Sequence, residues 1–348
     1  MIEFARLPQE ERNTYFEEAA NRRALRQLIV EKDFWVCFAL KMLFGIPEII
    51  DKFIFKGGTS LSKVFNVIKR FSEDIDISID PEWLGFAGDN SPASAPSGEQ
   101  FNKRLKSLNQ ACHAAVEQQV MPLLEAEIQD AIGQPANSNT YLDFNIDEET
   151  KSSVLIFNYP TYESRAGQYI LPQVKFEFGS LADQRPKGSH TITPWVAKEF
   201  PELLKDAQIE VSTLELERTF WEKVTILHAE YHRHQDSPMR SRLSRDYYDI
   251  YCLSLHPSGR KAIQMIDVLA DVVKFKQTYF KSSWANYEEA KPPTLKLAPP
   301  DHRIEDLKKD YRAMHEMFLE SPPTFDEIIT QSHSIEKEIN NDPNSRKK

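Results

Sequence analysis

Cysteine, positive charge and long apolar runs are all in short supply in this 348-residue chain. The three cysteines, Cys37, Cys112 and Cys252, lie far apart, each in an apolar stretch of helical character. They provide neither zinc-ligand spacing nor a disulfide framework, which predicts a reducing, cytoplasmic setting. Lys and Arg number 43 against 53 Asp and Glu, a formal net charge of −10. That excludes an indiscriminate nucleic-acid coat, because phosphate affinity comes from neutralisation by cations. A local basic groove stays open. The most apolar run, Phe34 to Gly45, is interrupted by Lys41 and too short to span a bilayer, so it reads as a core helix. The N-terminus, Met-Ile-Glu-Phe-Ala-Arg, lacks a signal-peptide layout. Internal repeats are absent too. What remains is an ordinary globular balance, 41% hydrophobic and 28% charged, long enough for two domains.

One stretch carries concentrated chemistry. Phe55-Lys56-Gly57-Gly58-Thr59-Ser60-Leu61-Ser62-Lys63 reads as strand, tight glycine turn and helix, with Leu61, Val64, Phe65 and Ile68 predicting an amphipathic helix over 60–69. Ile75, Ile77 and Ile79 then alternate with Asp74, Asp76 and Ser78, the period of a strand with one buried face. Asp74 and Asp76 therefore project together from the other face. Two acids held so close repel unless a cation lies between them, and a hard divalent ion takes carboxylate oxygens together with substrate phosphates. The Gly57-Gly58 turn admits close backbone approach, and the helix behind it presents free N–H groups to an anion. A phosphate binder beside a carboxylate pair points to nucleotidyl or phosphoryl transfer.

The wording Gly57-Gly58-Thr59-Ser60-Leu61, then Arg70-Phe71-Ser72-Glu73-Asp74-Ile75-Asp76, resembles the AbiEii/AbiGii toxin family. These are DNA-polymerase-β-like nucleotidyltransferases of abortive-infection, type IV toxin–antitoxin systems. Further motifs stand in the family's order, and the resemblance runs from about residue 30 to residue 253. Glu31-Lys32-Asp33-Phe34-Trp35 resembles its N-terminal signature, although a solvated charged turn before a buried run would read the same. Lys175-Phe176-Glu177 matches the Lys-x-acid strand that supplies a third metal-facing carboxylate. Alone, such a pair is usually a solvated strand edge. Glu222-Lys223 resembles the third motif, whose Lys binds nucleotide phosphates. Ser244-Arg245-Asp246-Tyr247-Tyr248-Asp249-Ile250 resembles the fourth, which ends in the Asp at 249. Relatives often carry His where Asp246 stands.

Along the chain, helices are expected at 8–23 and 24–44, a strand at 51–56, and a Gly/Ser/Pro-rich loop from Pro81 to Gln100. A long helix over 101–132 contains Pro122, a place for a kink or a break, and carries Lys103, Arg104 and Lys106 at its start. Residues 141–146 and 152–158 read as an antiparallel pair, and Tyr169 to Phe178 as a further strand. A connector over 181–210 should hold one strand and a short helix. A boundary near Val211 divides a nucleotidyltransferase domain, 1–210, from an α-helical domain, 211–348. Ser212-Thr213-Leu214-Glu215 matches a capping box opening a helix with Leu216, Phe220, Val224, Leu227 and Tyr231 inward and Lys223 away from that stripe. His228, His232 and His234 lack the zincin order and read as helix-end or RNA-facing residues. Arg233, Arg240, Arg242 and Arg245 against a single acid, Asp236, make the best local basic patch. Arg242–Asp246 and Arg245–Asp249 would make ordinary i,i+4 pairs on one helix. Further helices fall at 259–280, 301–319 and 324–340, with 341–348 disordered.

The fold implied is α/β, of the α+β kind. It has a polymerase-β-like core with a small mixed sheet, N-terminal helices and an α-helical C-terminal domain. The resemblance implies that Asp74, Asp76 and Glu177 hold Mg²⁺ or Mn²⁺. Gly57, Gly58, Thr59 and Ser60 would cradle the NTP, and Lys223 and Arg245 would neutralise its phosphates, with Arg70 and Lys175 assisting. Asp249 would orient Lys223 or the nucleotide, or accept a proton. The acceptor implied is RNA, foremost the tRNA 3′ end, met by the basic stretch 233–245, and the partner is a cognate antitoxin. Alternatives are a protein or small-molecule acceptor, phosphoryl transfer, or a nucleotide- or RNA-binding module without turnover.

Overall fold

A computed structural model describes residues 1–136, 139–161, 171–181 and 183–341 of the chain. It resolves into two compact units, Met1–Val64 with Ser72–Thr213, and Phe65–Phe71 with Leu214 onward. In chain order the first contains α1 (Ile2–Arg6), α2 (Gln9–Arg23), α3 (Gln27–Leu43), β1 (Phe53–Lys56), α4 (Gly57–Lys63) and β2 (Asp74–Ile79). There follow α5 (Gly98–Ala115), α6 (Met121–Ile132), β3 (Leu142–Ile146), β4 (Ser153–Phe157), β5 (Val174–Gly179), β6 (Lys187–Ile192), α7 (Trp195–Glu199) and β7 (Ile209–Leu214), at whose end the second unit begins.

The strands form one seven-stranded mixed sheet in the order β3-β4-β5-β2-β1-β7-β6. β2 lies at its centre, antiparallel to β1 and parallel to β5. The apolar face of these strands, with Phe55, Ile75, Ile77, Phe176 and Phe178, belongs to the core that α3 also enters. α3 is buried all round, as a helix apolar on every side must be; even Glu31, Lys32 and Asp33 are at most 3% exposed. Trp35 stacks on Tyr159 at 5.3 Å between ring centroids. The mixed α/β class agrees with the sequence reading.

Several element boundaries differ from the sequence reading, for physical reasons. The helix expected over 60–69 starts earlier, with Gly57-Gly58 as its first residues, and stops at Lys63. Asn66 adopts φ +51°, and the chain leaves in extended form to bridge Arg70 with Phe318. The expected helix from 24 starts at Gln27, because Ala24 takes the left-handed conformation that caps α2. The expected 101–132 helix is divided into α5 and α6 just ahead of Pro122. A π-helical turn, Val116–Val120, hands over to α6, and Pro122 sits in the first turn, where its missing N–H is harmless. Ser212 and Thr213 open no capping box: both lie in β7, and Glu215 precedes the next helix without a side-chain cap bond. In the expected 169–178 strand, Tyr169 and Ile170 fall outside the described residues and β5 begins at Val174. Residues 342–348 also fall outside them.

The second unit is helical: α8 (Leu216–Tyr231), α9 (Ser244–Leu255), α10 (Pro257–Ile263), α11 (Ile266–Tyr279), α12 (Ile304–Ala313) and α13 (Phe325–Asn340). Its segment Phe65–Phe71 is held by Phe71 N–H donating to Met317 O at 2.6 Å and Leu319 N–H to Lys69 O at 3.0 Å. The helix expected over 259–280 breaks at Gln264-Met265, and that over 301–319 is α12 between two 3₁₀ turns. α13 opens with a true capping box between Thr324 and Glu327. No helix of the described residues is long and apolar enough to cross a membrane.

Candidate active site

β2 and β5 run parallel in a register that sets Asp74 beside Lys175 and Asp76 beside Glu177. Paired residues on neighbouring strands share a face. The isoleucines of β2 and phenylalanines of β5 take the buried side, so all four polar side chains emerge on the other, partly open one. Lys56 of β1 stands across from Asp76 and extends the row. Burial raises the Asp74 pKa, and the charges of Glu73 and Glu177 add to it; Lys175 and Lys32 oppose the rise. Lys175 bonds to Glu177 and lies 3.7 Å from Asp147 in the β3–β4 turn. Burial alone would lower the Lys175 pKa, but Glu177, Asp74 and Asp147 hold it above its usual value. Among the described residues no three His, Cys, Asp or Glu side chains already converge as a ready metal cage. The donor chemistry nonetheless fits a hard divalent cation: oxygen ligands only, with three carboxylates on one face.

Gly57 shows why glycine is needed at the turn. Its φ is +81°, and a Cβ there would lie 1.9 Å from Asp76 Oδ2. The backbone therefore runs directly against the carboxylate. Thr59 and Ser60 are buried, and their hydroxyls are bonded to protein. Thr59 Oγ1 donates to Asp74 O at 2.5 Å and lies 3.0 Å from Ser72 Oγ, tying α4 to the start of β2. Ser60 Oγ donates to Gly57 O at 2.8 Å.

The second unit holds a separate charged cluster. Arg70 clamps Asp249 with two bonds of 2.8 Å, both side chains buried. Lys223 of α8 reaches Asp246 Oδ1 at 2.7 Å and Asp249 Oδ2 at 2.9 Å. Lys223, expected off the apolar stripe of α8, is enclosed by these carboxylates, its side chain only 12% exposed. Although burial pushes the other way, Arg70 and Lys223 hold the Asp249 carboxyl below its usual pKa. Burial likewise opposes, and Asp246 and Asp249 outweigh it, in raising the Lys223 pKa. Asp249 thus stays ionised and is poorly suited to accept a proton. Arg242 precedes α9 with φ +61°, so the expected stripe on one helix loses its first member. Arg245 directs Nη2 to Met317 Sδ at 3.1 Å.

The basic stretch is partly neutralised within the unit. Arg233 is paired with Glu230 at 2.6 and 2.7 Å and lies over the Trp284 ring at 4.1 Å, while Arg240 sits 3.8 Å from Asp246. His228 is structural: Nε2 meets Asn286 O at 3.0 Å, and Nδ1 accepts the Lys296 N–H at 3.0 Å. The burial of Glu31-Lys32-Asp33 corrects the solvated-turn reading. Lys32 pairs with Glu73, and Asp33 pairs with Lys63 while accepting the Trp195 N–H at 2.7 Å. Sequence reasoning missed Glu73, Asp147 and Lys56 as neighbours of the acid row. Three charges inside the most apolar helix were the available signal for Glu73, since buried charge demands a partner.

A family model described as nucleotidyl transferase AbiEii toxin, type IV toxin–antitoxin system, matches residues 40–331. No curated protein matches the chain. A similar solved structure is MenT4, a nucleotidyltransferase toxin from Mycobacterium tuberculosis H37Rv. It is 12% identical over 86% of this chain and 98% of its own, with a TM-score of 0.31, a likeness too loose to carry any argument.

Proposed function

From the premise that the chain belongs to the AbiEii family of nucleotidyl transferase toxins, we propose that it moves a nucleoside monophosphate from an NTP onto RNA, with the tRNA 3′ end as acceptor. Membership of a type IV toxin–antitoxin family brings with it an NTP substrate and a cognate antitoxin. The observation that carries the chemistry is the acid row: Asp74, Asp76 and Glu177 on one face of two paired strands, with Gly57 against the Asp76 carboxylate.

In this reading Asp74, Asp76 and Glu177 hold Mg²⁺ or Mn²⁺. Such a cation would supply charge neutralisation at the phosphorus under attack. The backbone of Gly57 and Gly58, with Thr59 and Ser60 behind it, cradles the triphosphate. Lys223 and Arg245 are assigned to its negative charge, and Lys175 assists. Arg70 acts through Asp249, which orients Lys223. The acceptor hydroxyl oxygen bonds to the α-phosphorus and its proton passes to solvent, while the bond to the bridging oxygen breaks and pyrophosphate carries away the electron pair. Positioning and electrostatic stabilisation supply most of the rate. The basic stretch 233–245 is assigned to the acceptor's phosphates, and the setting is cytoplasmic.

The test incubates the protein with each α-radiolabelled NTP, Mg²⁺ and total tRNA, beside an Asp74→Ala/Asp76→Ala variant. Label in tRNA with the wild type alone is the expected result. Label in protein moves the acceptor to a polypeptide. No label in either, with transfer from γ-labelled ATP, replaces nucleotidyl by phosphoryl transfer. Nucleotide binding indifferent to Mg²⁺, without any transfer, leaves only a binding module.

A further inference from the structure

One buried charge of α3, Lys32, reaches both segments that lead into the acid-bearing strands. Lys32 Nζ donates to Glu73 Oε2 at 2.6 Å and to Leu171 O at 2.7 Å. Its side chain is 3% exposed and that of Glu73 10%. Glu73 immediately precedes Asp74, and Leu171 lies three positions before β5. One ammonium thus ties the chain entering β2 to the chain entering β5, the two strands that set Asp76 beside Glu177. Thr59 fixes the same end of β2 from α4 through Asp74 O.

A buried ion pair is a poor way to gain stability, since well-packed apolar residues serve as well or better. Its charges sit beside the acid row instead, since Glu73 is the residue immediately before Asp74 and Lys32 holds it from α3. We propose that the Lys32–Glu73 pair is a positioning element of the site, engaging Glu73 so that it does not compete as a ligand beside Asp74 and balancing the charge at the Asp74/Asp76 carboxylates. The inference deepens the reading that these carboxylates hold a divalent cation, and rests on it. Lys32 lies ahead of the residues that the family model matches.

The test is Mn²⁺ binding to the full chain without nucleotide, followed by the paramagnetic signal of free Mn²⁺, with thermal melts alongside. Glu73→Gln leaves the Lys32 charge unbalanced and should weaken Mn²⁺ binding about fivefold or more. Lys32→Met leaves the Glu73 charge unbalanced and should tighten it by a similar factor. Lys32→Met/Glu73→Leu, which swaps the pair for apolar side chains, should return the affinity to within about threefold of wild type. Lys32→Arg keeps the charge and should bind as wild type does, which covers the case in which a single variant fails to fold. Single variants that shift affinity in the same direction, or not at all, overturn the proposal, and so does a double variant that stays displaced. Asp74→Asn/Asp76→Asn separates the two levels: if it binds Mn²⁺ as tightly as wild type, the metal reading itself fails.

Discussion

Replacing Gly57 by alanine would place a methyl carbon 1.9 Å from Oδ2 of Asp76, where contacts below 3.0 Å essentially never occur. The carboxylate would have to retreat by about 1.1 Å, because the methyl is fixed to a backbone that already sits at φ +81°. An L residue in that region costs about 1–2 kcal/mol. The cost to stability is therefore modest, whereas the cost to activity is not: a misplacement of about 1 Å at a reacting centre lowers rate by on the order of a hundredfold. Gly88 is the matched control, with φ +53° and nothing within 4 Å of its would-be Cβ. Gly88→Ala should show the backbone strain alone. Label transfer to tRNA at saturating NTP, with a thermal melt of each protein, separates the two effects. Gly57→Ala that is folded and transfers label within about threefold of wild type would refute the idea that this glycine exists to admit the Asp76 carboxylate.

Asp249→Asn should destabilise the protein by about 3–5 kcal/mol, because Arg70 is left buried without its anion while Lys223 keeps only Asp246; a chemical denaturation curve reads it. Since the folded-state pKa of Asp249 lies below its usual value, its contribution is complete above about pH 4 and is lost as pH falls through the lower folded value. Acid should therefore narrow the gap between wild type and Asp249→Asn, and a gap independent of pH would contradict the pairing. Asp74 has the opposite sign. Its raised folded-state pKa means that its charge opposes folding at neutral pH, and that this opposition fades as the group is protonated on acidification. Asp74→Asn should accordingly melt above wild type in EDTA, and adding Mg²⁺ should raise the wild type more than the variant. A variant that melts lower in EDTA would show that the acid row is not under like-charge stress.

The acid row was legible because period two is unambiguous: isoleucine at 75, 77 and 79 forces Asp74 and Asp76 to one side, and β2 covers Asp74–Ile79. The α/β class was legible for the same reason. The short reach of α4 was not. Leu61, Val64, Phe65 and Ile68 keep helical spacing, but Val67 and Ile68 are buried without being helical, so burial imitated periodicity. The capping-box pattern at 212–215 failed because a strand paired with β1 claimed Ser212 and Thr213, and tertiary pairing outweighs a four-residue signature. The enclosure of Lys223 was not legible, because a lysine carried on a helix is normally a surface residue. Its partners, Asp246 and Asp249, lie on another helix and could not be inferred from α8 alone.

The borrowed segment Phe65–Phe71 bears on how the protein is made. Arg70 and its partner Asp249 are 179 positions apart. At roughly 5–20 residues per second, a ribosome needs on the order of ten to forty seconds to travel from one to the other. During that interval Arg70 is a cation waiting for its anion, and the helical unit cannot close around it. A transcript cut short before codon 249, or a fragment started at 214, would each lack one half of the clamp. No chain that ends before residue 249 can carry the finished Arg70–Asp249 clamp, so the helical unit completes its charged cluster only after that residue is made.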